Sequence, residues 1–368
     1  MSGGARRERL RKSNQARRRN ISDVDDRKAG DDPIAADRRA GPAPDRPEGE
    51  GGQSIDRRAI PDDARETTWT APDAHVLRRI DWTDTDRAPG DVPRGSILFL
   101  PGRGDHYEKY LESLVEWHRE GWRVTAIDWR GQGGSGRLGK DAVTGHIEDF
   151  GIWVDDLAHF WKQWIAENPG PHVIAGHSMG GHLVMRALID RRIDPAAVVL
   201  SAPMLNMKGP LLPLALLHRV ALVMTGIGDP TRPAWKWSEK PGEPPASRAD
   251  LLTHDADRYA DESWWRDHRP ELVMGPASWR WVERAYRSIR KLEERGALES
   301  VDVPVLIVST IADKLVSHAA NRRAAERLPR GRLVEFGKEA HHEILREVDP
   351  VRDRAMRAIS EFLDQFAR

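Results

Sequence analysis

The chain has 368 residues, 39% of them hydrophobic, which is enough for one sizeable α/β core and an insertion. Lysine plus arginine and aspartate plus glutamate each total 58, so no overall charge favours a nucleic-acid partner. The absence of cysteine excludes disulfide bonds, thiolate catalysis and cysteine metal sites. None of the 14 histidines has a His-Glu-x-x-His zinc spacing, and we expect neither a metal nor a cofactor.

Residues 1–65 differ in composition from the rest of the chain. They are rich in Arg, Asp, Gly and Pro and lack a long apolar run, so we expect a disordered tail. Its arginines could contact anionic lipid or nucleic acid, but a solvated tail or a start codon assigned too far upstream is favoured. No apolar h-region follows the arginines, which predicts a cytoplasmic protein without a signal peptide.

The first strong strand signal is SILFL at residues 96–100, followed by the loop PGRGDH at 101–106. A second apolar run begins at Val124 and leads through Asp128 into a glycine-rich stretch at 131–136. A dinucleotide fingerprint opens directly into a helix and has an acidic residue after the next strand. Here the aspartate precedes the glycines, so nucleotide binding is disfavoured.

The run GHSMG at residues 176–180 has the G-x-S-x-G form. It follows the apolar stretch HVIA at 172–175 and precedes apolar residues at helical spacing, which predicts a strand, a sharp turn and a helix. Ser178 is therefore the candidate nucleophile, and the amide of Met179 at the helix start can stabilise a developing negative charge. The alternative is a serine in an ordinary glycine-rich turn.

Residues 204–299 leave the alternation of strands and helices and predict an insertion. Its apolar segment 211–224 is too short and too interrupted to be a confident membrane span, and packing inside the insertion is favoured over a lid helix that meets lipid. Six tryptophans could cover an apolar ligand or form ordinary core, and the pattern does not decide between these: Trp235, Trp237, Trp264, Trp265, Trp279 and Trp281.

A serine nucleophile needs a base and a carboxylate that orients the base. The predicted strand 303–309 is followed by Asp313, and the predicted strand 332–336 is followed by His341 and His342. Asp313 is favoured as the orienting carboxylate over a solvated turn residue. The order Ser, Asp, His, each after a strand, is the order expected of an α/β-hydrolase.

Together these motifs resemble the branch of the α/β-hydrolase superfamily that contains serine aminopeptidase-like proteins, monoacylglycerol lipases and bacterial lysophospholipases. The resemblance extends from about Trp69 to the C-terminus. It implies a mostly parallel, doubly wound sheet with a helical cap inserted after the sixth strand. The core would comprise residues 66–203 and 300–368, and the cap residues 204–299 would lie over the active site.

The resemblance also assigns site residues. His342 is favoured as the base over its neighbour His341, because HEIL at 342–345 resembles the histidine motif of bacterial lysophospholipases. The loop PGRG at 101–104 resembles the family's His-Gly-x-Gly loop, with Pro101 in place of histidine. The amide of Arg103 would then be the oxyanion donor that acts with Met179. The glycines after Asp128 resemble a loop that holds the fold.

The favoured function is a serine hydrolase that cleaves the carboxylic esters of lysophospholipid or monoacylglycerol, with transient contact with the inner face of the membrane. A proline-iminopeptidase-like aminopeptidase is the alternative. It would need carboxylates to hold a substrate amine, and Asp261, Glu262 and Glu271 are too scattered in sequence to predict such a cluster. A non-catalytic binding protein is least favoured, because every catalytic position is filled.

Overall fold

The computed structural model describes residues 55–83, 92–209, 212–236 and 248–367. Most of the predicted tail lies outside the described residues. Residues 55–65 are a correction to that prediction, because strand β1 begins at Ala64 and the side chains of Arg57 and Arg58 lie 2.6 and 2.7 Å from the carboxylate of Asp261. These ion pairs hold the segment against the insertion, so the folded region begins before residue 66.

The described residues form one sheet of eight strands in the order β1-β2-β4-β3-β5-β6-β7-β8. Strands β1 and β2 are antiparallel to their neighbours, and β3 to β8 are parallel. The central strands β3, β6 and β7 are buried along their whole length, which explains why they are continuous apolar runs. The strands are β1 Ala64–Thr70, β2 Val76–Trp82, β3 Ser96–Leu100, β4 Arg123–Ile127, β5 His172–His177, β6 Ala197–Ser201, β7 Val305–Thr310 and β8 Gly331–Phe336.

Helices cover both faces of the sheet, which confirms the predicted doubly wound α/β fold. One buried cluster contains Trp153 and Leu183 from α2 and α3, and the other contains Leu114 and Phe362 from α1 and α9. The helices are α1 Leu111–Arg119, α2 Phe150–Glu167, α3 Met179–Ile189, α4 Leu214–Gly226, α5 Ala249–Leu252, α6 Ala256–His268, α7 Trp279–Glu293, α8 His318–Arg327 and α9 Asp349–Phe366.

Side-chain caps explain where several helices begin. The carboxylate of Asp149 accepts a hydrogen bond from the Gly151 amide at the start of α2, and the hydroxyl of Ser278 accepts one from the Trp281 amide at the start of α7. These groups satisfy amides that have no partner within the helix. Helix α7 therefore begins at a defined residue inside the insertion.

Helices α4 to α7 lie between β6 and β7, which confirms an insertion after the sixth strand. The expectation that the apolar segment packs inside it is wrong for most of α4. Exposed fractions are 43% for Leu216, 48% for Val220, 53% for Leu222 and 59% for Val223, whereas Ala221 is buried. Helix α4 packs mainly on α7, and this neighbouring helix covers only one side of a mostly apolar helix.

The insertion tryptophans also divide between two environments. Trp265 and Trp281 are buried, whereas Trp235 is 47% exposed beside the cavity described below. Trp237 lies outside the described residues. Within the described ranges, no helix combines the length and apolar character needed to cross a membrane.

Candidate active site

The turn between β5 and α3 consists of Ser178, whose φ of 50° and ψ of −114° are strained for a residue with a side chain. Glycines crowd around it. A Cβ atom at Gly176 would lie 2.9 Å from the amide nitrogen of Gly181, and one at Gly180 would lie 2.2 Å from the carbonyl oxygen of Leu100. The motif therefore needs its glycines for space, and the strained turn holds the Ser178 hydroxyl at the carboxyl edge of the sheet.

His342 lies between Ser178 and Asp313. Its Nε2 atom is 2.9 Å from Ser178 Oγ, and its Nδ1 atom is 2.7 Å from Asp313 Oδ2. The other carboxylate oxygen of Asp313 accepts hydrogen bonds from the amides of Leu315 and Val316 at 2.8 and 2.9 Å. The structure thus brings the three predicted residues into one hydrogen-bonded line that can remove the serine proton.

The electrostatics of the pair suit a basic imidazole beside an ionised carboxylate. Burial lowers the pKa of His342, but the charge and hydrogen bond of Asp313 outweigh burial and leave the pKa raised. Burial raises the pKa of Asp313, but His342 and the two loop amides leave it lowered. Asp313 therefore stays ionised and stabilises the imidazolium that forms when His342 takes a proton.

The neighbouring histidine occupies a different environment. The ring of His341 stacks on the ring of His254 with 3.8 Å between centroids, and its backbone amide donates to the carboxylate of Glu347 at 2.7 Å. Burial and the nearby His254 lower its pKa. Its contacts lie away from Ser178, in agreement with the predicted preference for His342 as the base.

The loop after β3 is fixed on both sides of Arg103. The amide of Gly102 donates to the carboxylate of Asp105 at 3.1 Å, and the amide of Gly104 donates to the side-chain oxygen of Gln132 at 2.7 Å. The amide group of Gln132 also contacts the sulfur of Met179 at 3.9 Å. Side chains therefore set the loop geometry although proline replaces the histidine of the resembling motif.

The two predicted oxyanion donors belong to segments that meet at the nucleophile. A Cβ atom at Gly102 would lie 3.1 Å from the Cβ of Ser178, so the loop runs against the elbow. The backbone amides of Arg103 and Met179 have no hydrogen-bond partner among the described residues. Both amides are therefore available to a substrate oxygen, as the oxyanion prediction requires.

Asp128 holds the glycine-rich turn as the resemblance implied. Its Oδ2 atom accepts hydrogen bonds from Arg78 at 2.9 and 2.6 Å and from the amide of Gly134 at 2.8 Å, and its Oδ1 accepts one from the amide of Tyr107. Gly133 has a φ of 49°, and a Cβ atom there would lie 2.2 Å from the carboxylate. The turn thus surrounds a buried aspartate that connects β2 and β4 to Tyr107, which follows the loop at residues 101–104, called the oxyanion loop below.

A buried charge cluster beneath the site was not predicted. The ammonium of Lys109 lies 2.6 Å from Asp105, 2.6 Å from Glu343 and 2.9 Å from Glu262, and the side chain of Arg346 contacts both glutamates. These contacts join the oxyanion loop, the segment after His342 and helix α6. The spacings of Asp105 with Lys109 and of Glu343 with Arg346 are local signals, but Glu343 is 234 residues from Lys109, so neither spacing predicts the cluster.

Two groups of side chains are close enough together to suggest a metal site. Asp105, His177 and Glu343 form one, and both of its carboxylates contact the Lys109 ammonium. His254, His341 and Glu347 form the other, but the carboxylate already accepts hydrogen bonds from the His341 amide and the His254 ring. The carboxylates of both groups therefore already have partners within the protein, whereas Nδ1 of His341 has none among the described residues.

A cavity of about 390 Å³ opens at Ser178 between the sheet and the insertion. Most of its wall is apolar and comes from both sides, including Met204, Met207, Trp235, Leu251, Leu252, Met274, Trp281 and Val316. Such a wall can hold an acyl chain beside the hydroxyl.

Comparison with known proteins assigns this chain to a family. Residues 91–349 match the family described as serine aminopeptidase, S33. Lysophospholipase L2 of Escherichia coli (strain K12) is 30% identical over 286 residues, which cover 73% of this chain and 80% of that protein. Monoacylglycerol lipase of Mycolicibacterium smegmatis is 26% identical over 252 residues, which cover 67% and 78% of the two chains.

Solved structures agree on the fold. A monoacylglycerol lipase from Paleococcus ferrophilus has a TM-score of 0.55 at 26% identity and covers 78% of this chain and 98% of its own. A monoglyceride lipase variant from Saccharomyces cerevisiae has a TM-score of 0.65 at 17% identity, over 84% and 97% of the two chains. With the family match, these findings confirm that the chain has the α/β-hydrolase fold and belongs to the serine aminopeptidase, S33 family.

Proposed function

We propose that this protein cleaves the carboxylic ester of a lysophospholipid or a monoacylglycerol through an acyl-enzyme on Ser178. One observation carries the proposal: the line from Ser178 Oγ through His342 to Asp313, with distances of 2.9 and 2.7 Å, opens into an apolar cavity. The chain is a carboxylic-ester hydrolase, in keeping with its family and with relatives named lysophospholipase and monoacylglycerol lipase.

In the proposed reaction, His342 Nε2 takes the proton of Ser178 as Oγ attacks the ester carbonyl carbon. The amides of Arg103 and Met179 donate hydrogen bonds to the oxyanion. When the tetrahedral intermediate collapses, the proton on His342 passes to the departing alcohol oxygen, which leaves an acyl-serine. Water, deprotonated by the same imidazole, then attacks the acyl carbon, and the free acid departs as Ser178 recovers its proton.

We further propose that residues 204–299 act as a cap that shapes the acyl pocket. Leu251 and Leu252 from α5 and Met274 from the segment before α7 line the cavity opposite the sheet. These apolar side chains exclude water from the acyl-enzyme and strengthen the hydrogen bonds to the oxyanion.

The exposed side of α4 supports a transient contact with a lipid surface. Leu216, Val220, Leu222 and Val223 are each more than 40% exposed along one short helix, and Arg219 beside them is also exposed. An apolar helix with a cation at its edge suits the boundary between headgroups and acyl chains. We therefore propose that lipid substrate enters the cavity from this side of the cap.

The aminopeptidase alternative requires a free carboxylate near Ser178 for the substrate amine. Asp105 and Glu343 line the cavity, but both are bound to Lys109. In the insertion, Asp261 pairs with arginines and Glu262 contacts Lys109. With these carboxylates engaged, the ester reaction is favoured.

The test is hydrolysis of a substrate panel by the purified protein and by Ser178→Ala. The panel contains lysophosphatidylcholine, monoacylglycerols of increasing chain length, a short p-nitrophenyl ester and a proline naphthylamide. Ser300→Ala is the matched control, because this serine is exposed on a 3-10 turn away from the cavity. We expect cleavage of the long-chain lipids that Ser178→Ala abolishes and Ser300→Ala retains. Cleavage of the naphthylamide alone would contradict the lipid substrate and leave the nucleophile assignment standing.

A further inference from the structure

The wall of the cavity at Ser178 contains cationic side chains as well as apolar ones. Its described basic side chains, apart from the histidines of the site, are Arg103, Lys208 and Arg248. The two carboxylates in the same wall, Asp105 and Glu343, are both in contact with the buried Lys109 ammonium. Among the described residues, neither of these acids forms an ion pair with Arg103 or Lys208.

Arg103 is held in a fixed place without an acidic partner. Its Nη2 atom donates to the carbonyl oxygen of Gly275 at 2.7 Å, and its guanidinium carbon lies 5.4 Å from the ring centroids of both Trp235 and Trp281. Its Nε atom is shielded from solvent and has no hydrogen-bond partner among the described residues, where no carboxylate forms an ion pair with this side chain. The carbonyl and the two rings orient the guanidinium but do not neutralise it.

The surroundings of Arg103 make its positive charge costly. Burial and the nearby Arg248 lower its pKa to about 9, against the opposing field of Asp105, so the side chain remains a cation at neutral pH. A shielded cation without an anion gains more than an exposed one when an anion arrives. A planar guanidinium with free N–H groups binds phosphate oxygens especially well.

The position of Arg103 links this charge to the reaction. Its backbone follows Gly102, the residue that packs against Ser178. Its side chain therefore enters the cavity close to the nucleophile. Lys208 is exposed on the same wall, where its backbone amide donates to the carbonyl of Leu315 at 2.8 Å. A substrate whose ester reaches Ser178 therefore has its alcohol portion or its acyl chain within the same 390 Å³ cavity as these cations.

We propose that Arg103, with Lys208, forms a subsite for the phosphodiester anion of a lysophospholipid head group, and that this subsite makes lysophospholipid a better substrate than a monoacylglycerol with the same acyl chain. The inference rests on the proposed function and narrows its substrate class. A monoacylglycerol has no phosphodiester to offer these cations, so only the lysophospholipid gains binding free energy from this subsite.

The test compares 1-palmitoyl lysophosphatidylglycerol with 1-palmitoylglycerol in the same neutral detergent micelles. The variants are Arg103→Gln, which keeps the backbone amide, Arg103→Lys, which keeps the charge, and Lys208→Gln at an exposed position. We expect the unmodified protein to have a kcat/KM at least tenfold higher for the phospholipid. Arg103→Gln should lower the ratio of the two kcat/KM values by roughly tenfold or more, Lys208→Gln by a few fold, and Arg103→Lys should retain part of the preference.

Using the ratio cancels any shared effect of Arg103 on the oxyanion loop, and Lys208→Gln keeps the test decisive if Arg103→Gln does not fold. Equal rates for the two lipids in the unmodified protein, or an unchanged ratio in folded Arg103→Gln and in Lys208→Gln, would overturn the subsite. If inorganic phosphate inhibits the hydrolysis of both lipids equally and the ratio of their kcat/KM values is near one, the cations bind a free anion and not the lipid head group. Failure to cleave either lipid, or cleavage that survives Ser178→Ala, would contradict the proposed function itself.

Discussion

The two walls of the cavity are built in different ways. On the sheet side, Ser178, Asp313 and His342 follow β5, β7 and β8, and the residues that hold them are close by in sequence or in the adjacent loop. On the insertion side, short helices are joined to the core by ion pairs between distant residues, such as Arg258 with Glu112 and Lys109 with Glu262. In the proposed function, the sheet side carries the reacting groups and the insertion covers the acyl chain.

The two walls meet at the buried cluster around Lys109. Asp105 orients the oxyanion loop through the Gly102 amide, Glu343 is adjacent to His342, and Glu262 belongs to α6 of the insertion. One ammonium thus contacts a carboxylate from each part. The cluster couples the position of the insertion to the loops that carry the predicted catalytic groups.

The largest expected effect separates the two adjacent histidines. His342→Ala removes the proposed base and should lower kcat by roughly four orders of magnitude or more. His341→Ala is the matched control, and it should retain activity within a few fold because its ring stacks on His254 away from Ser178. Steady-state hydrolysis of a short p-nitrophenyl ester measures both. A greater loss of kcat in His341→Ala than in His342→Ala would show that the base is His341 and contradict the assignment of His342.

The next effect tests the junction between the two walls. Lys109→Met leaves Asp105, Glu262 and Glu343 buried with one fewer cation, and the free energy of unfolding should fall by about 3–5 kcal/mol. Lys140→Met is the control, because Lys140 pairs with Asp229 at an exposed position where solvent screens the pair, so the free energy of unfolding should change little. Denaturant unfolding measures the difference. Equal losses in the two variants would show that the cluster does not hold the walls together.

The pH profile tests the sheet side alone. His342 acts as a base when neutral, and Asp313 raises its pKa above the ordinary value of 6.5 in spite of burial. Activity should therefore fall as the pH drops through a value above 6.5, by about tenfold per pH unit below it. Asp313→Asn removes the charge that favours the imidazolium, so its weaker activity should have an acid limb at lower pH. A limb below 6.5 in the unmodified protein would contradict the assigned pair.

The smallest expected effect concerns the outer surface of the insertion. The double variant Leu222→Asp with Val223→Asp changes exposed positions, so the free energy of unfolding should stay within about 1 kcal/mol of the unmodified value. Hydrolysis of a long-chain ester in phospholipid vesicles should fall by roughly fivefold, because apolar contact with the lipid is lost. Val92→Asp, at a position 86% exposed, is the control and should not change the rate. Equal vesicle rates in all three proteins would remove α4 from substrate delivery.

Local sequence patterns predicted the sheet side well. Strand β3 was expected at 96–100 and lies there, and the strands before Ser178, Asp313 and His342 were placed within two residues of their observed starts. Buried parallel strands are short apolar runs, and tight turns need glycine, so both leave strong local signals. The fold and family are confirmed, whereas the catalytic roles remain predictions that the geometry supports.

The insertion could not be predicted in the same way. The apolar character of α4 did not reveal that its neighbour covers one side only, since exposure depends on which helices surround it. The Lys109 cluster joins Lys109 to Glu343, which is 234 positions away, so no local window contains the cluster. The loop motif identified the amide of Arg103, but the path of its side chain between Trp235 and Trp281 depends on an insertion more than a hundred residues away.

The proposed reaction depends on Ser178, which forms the covalent acyl-enzyme. The most direct test is to react the purified protein with a fluorophosphonate, digest it, and locate the adduct by mass spectrometry, with Ser178→Ala and Ser300→Ala treated in parallel. We predict one adduct on the peptide that contains Ser178, its loss in Ser178→Ala, and its retention in Ser300→Ala. An adduct on a different residue, or undiminished labelling of Ser178→Ala, would contradict the assignment of Ser178 as the nucleophile.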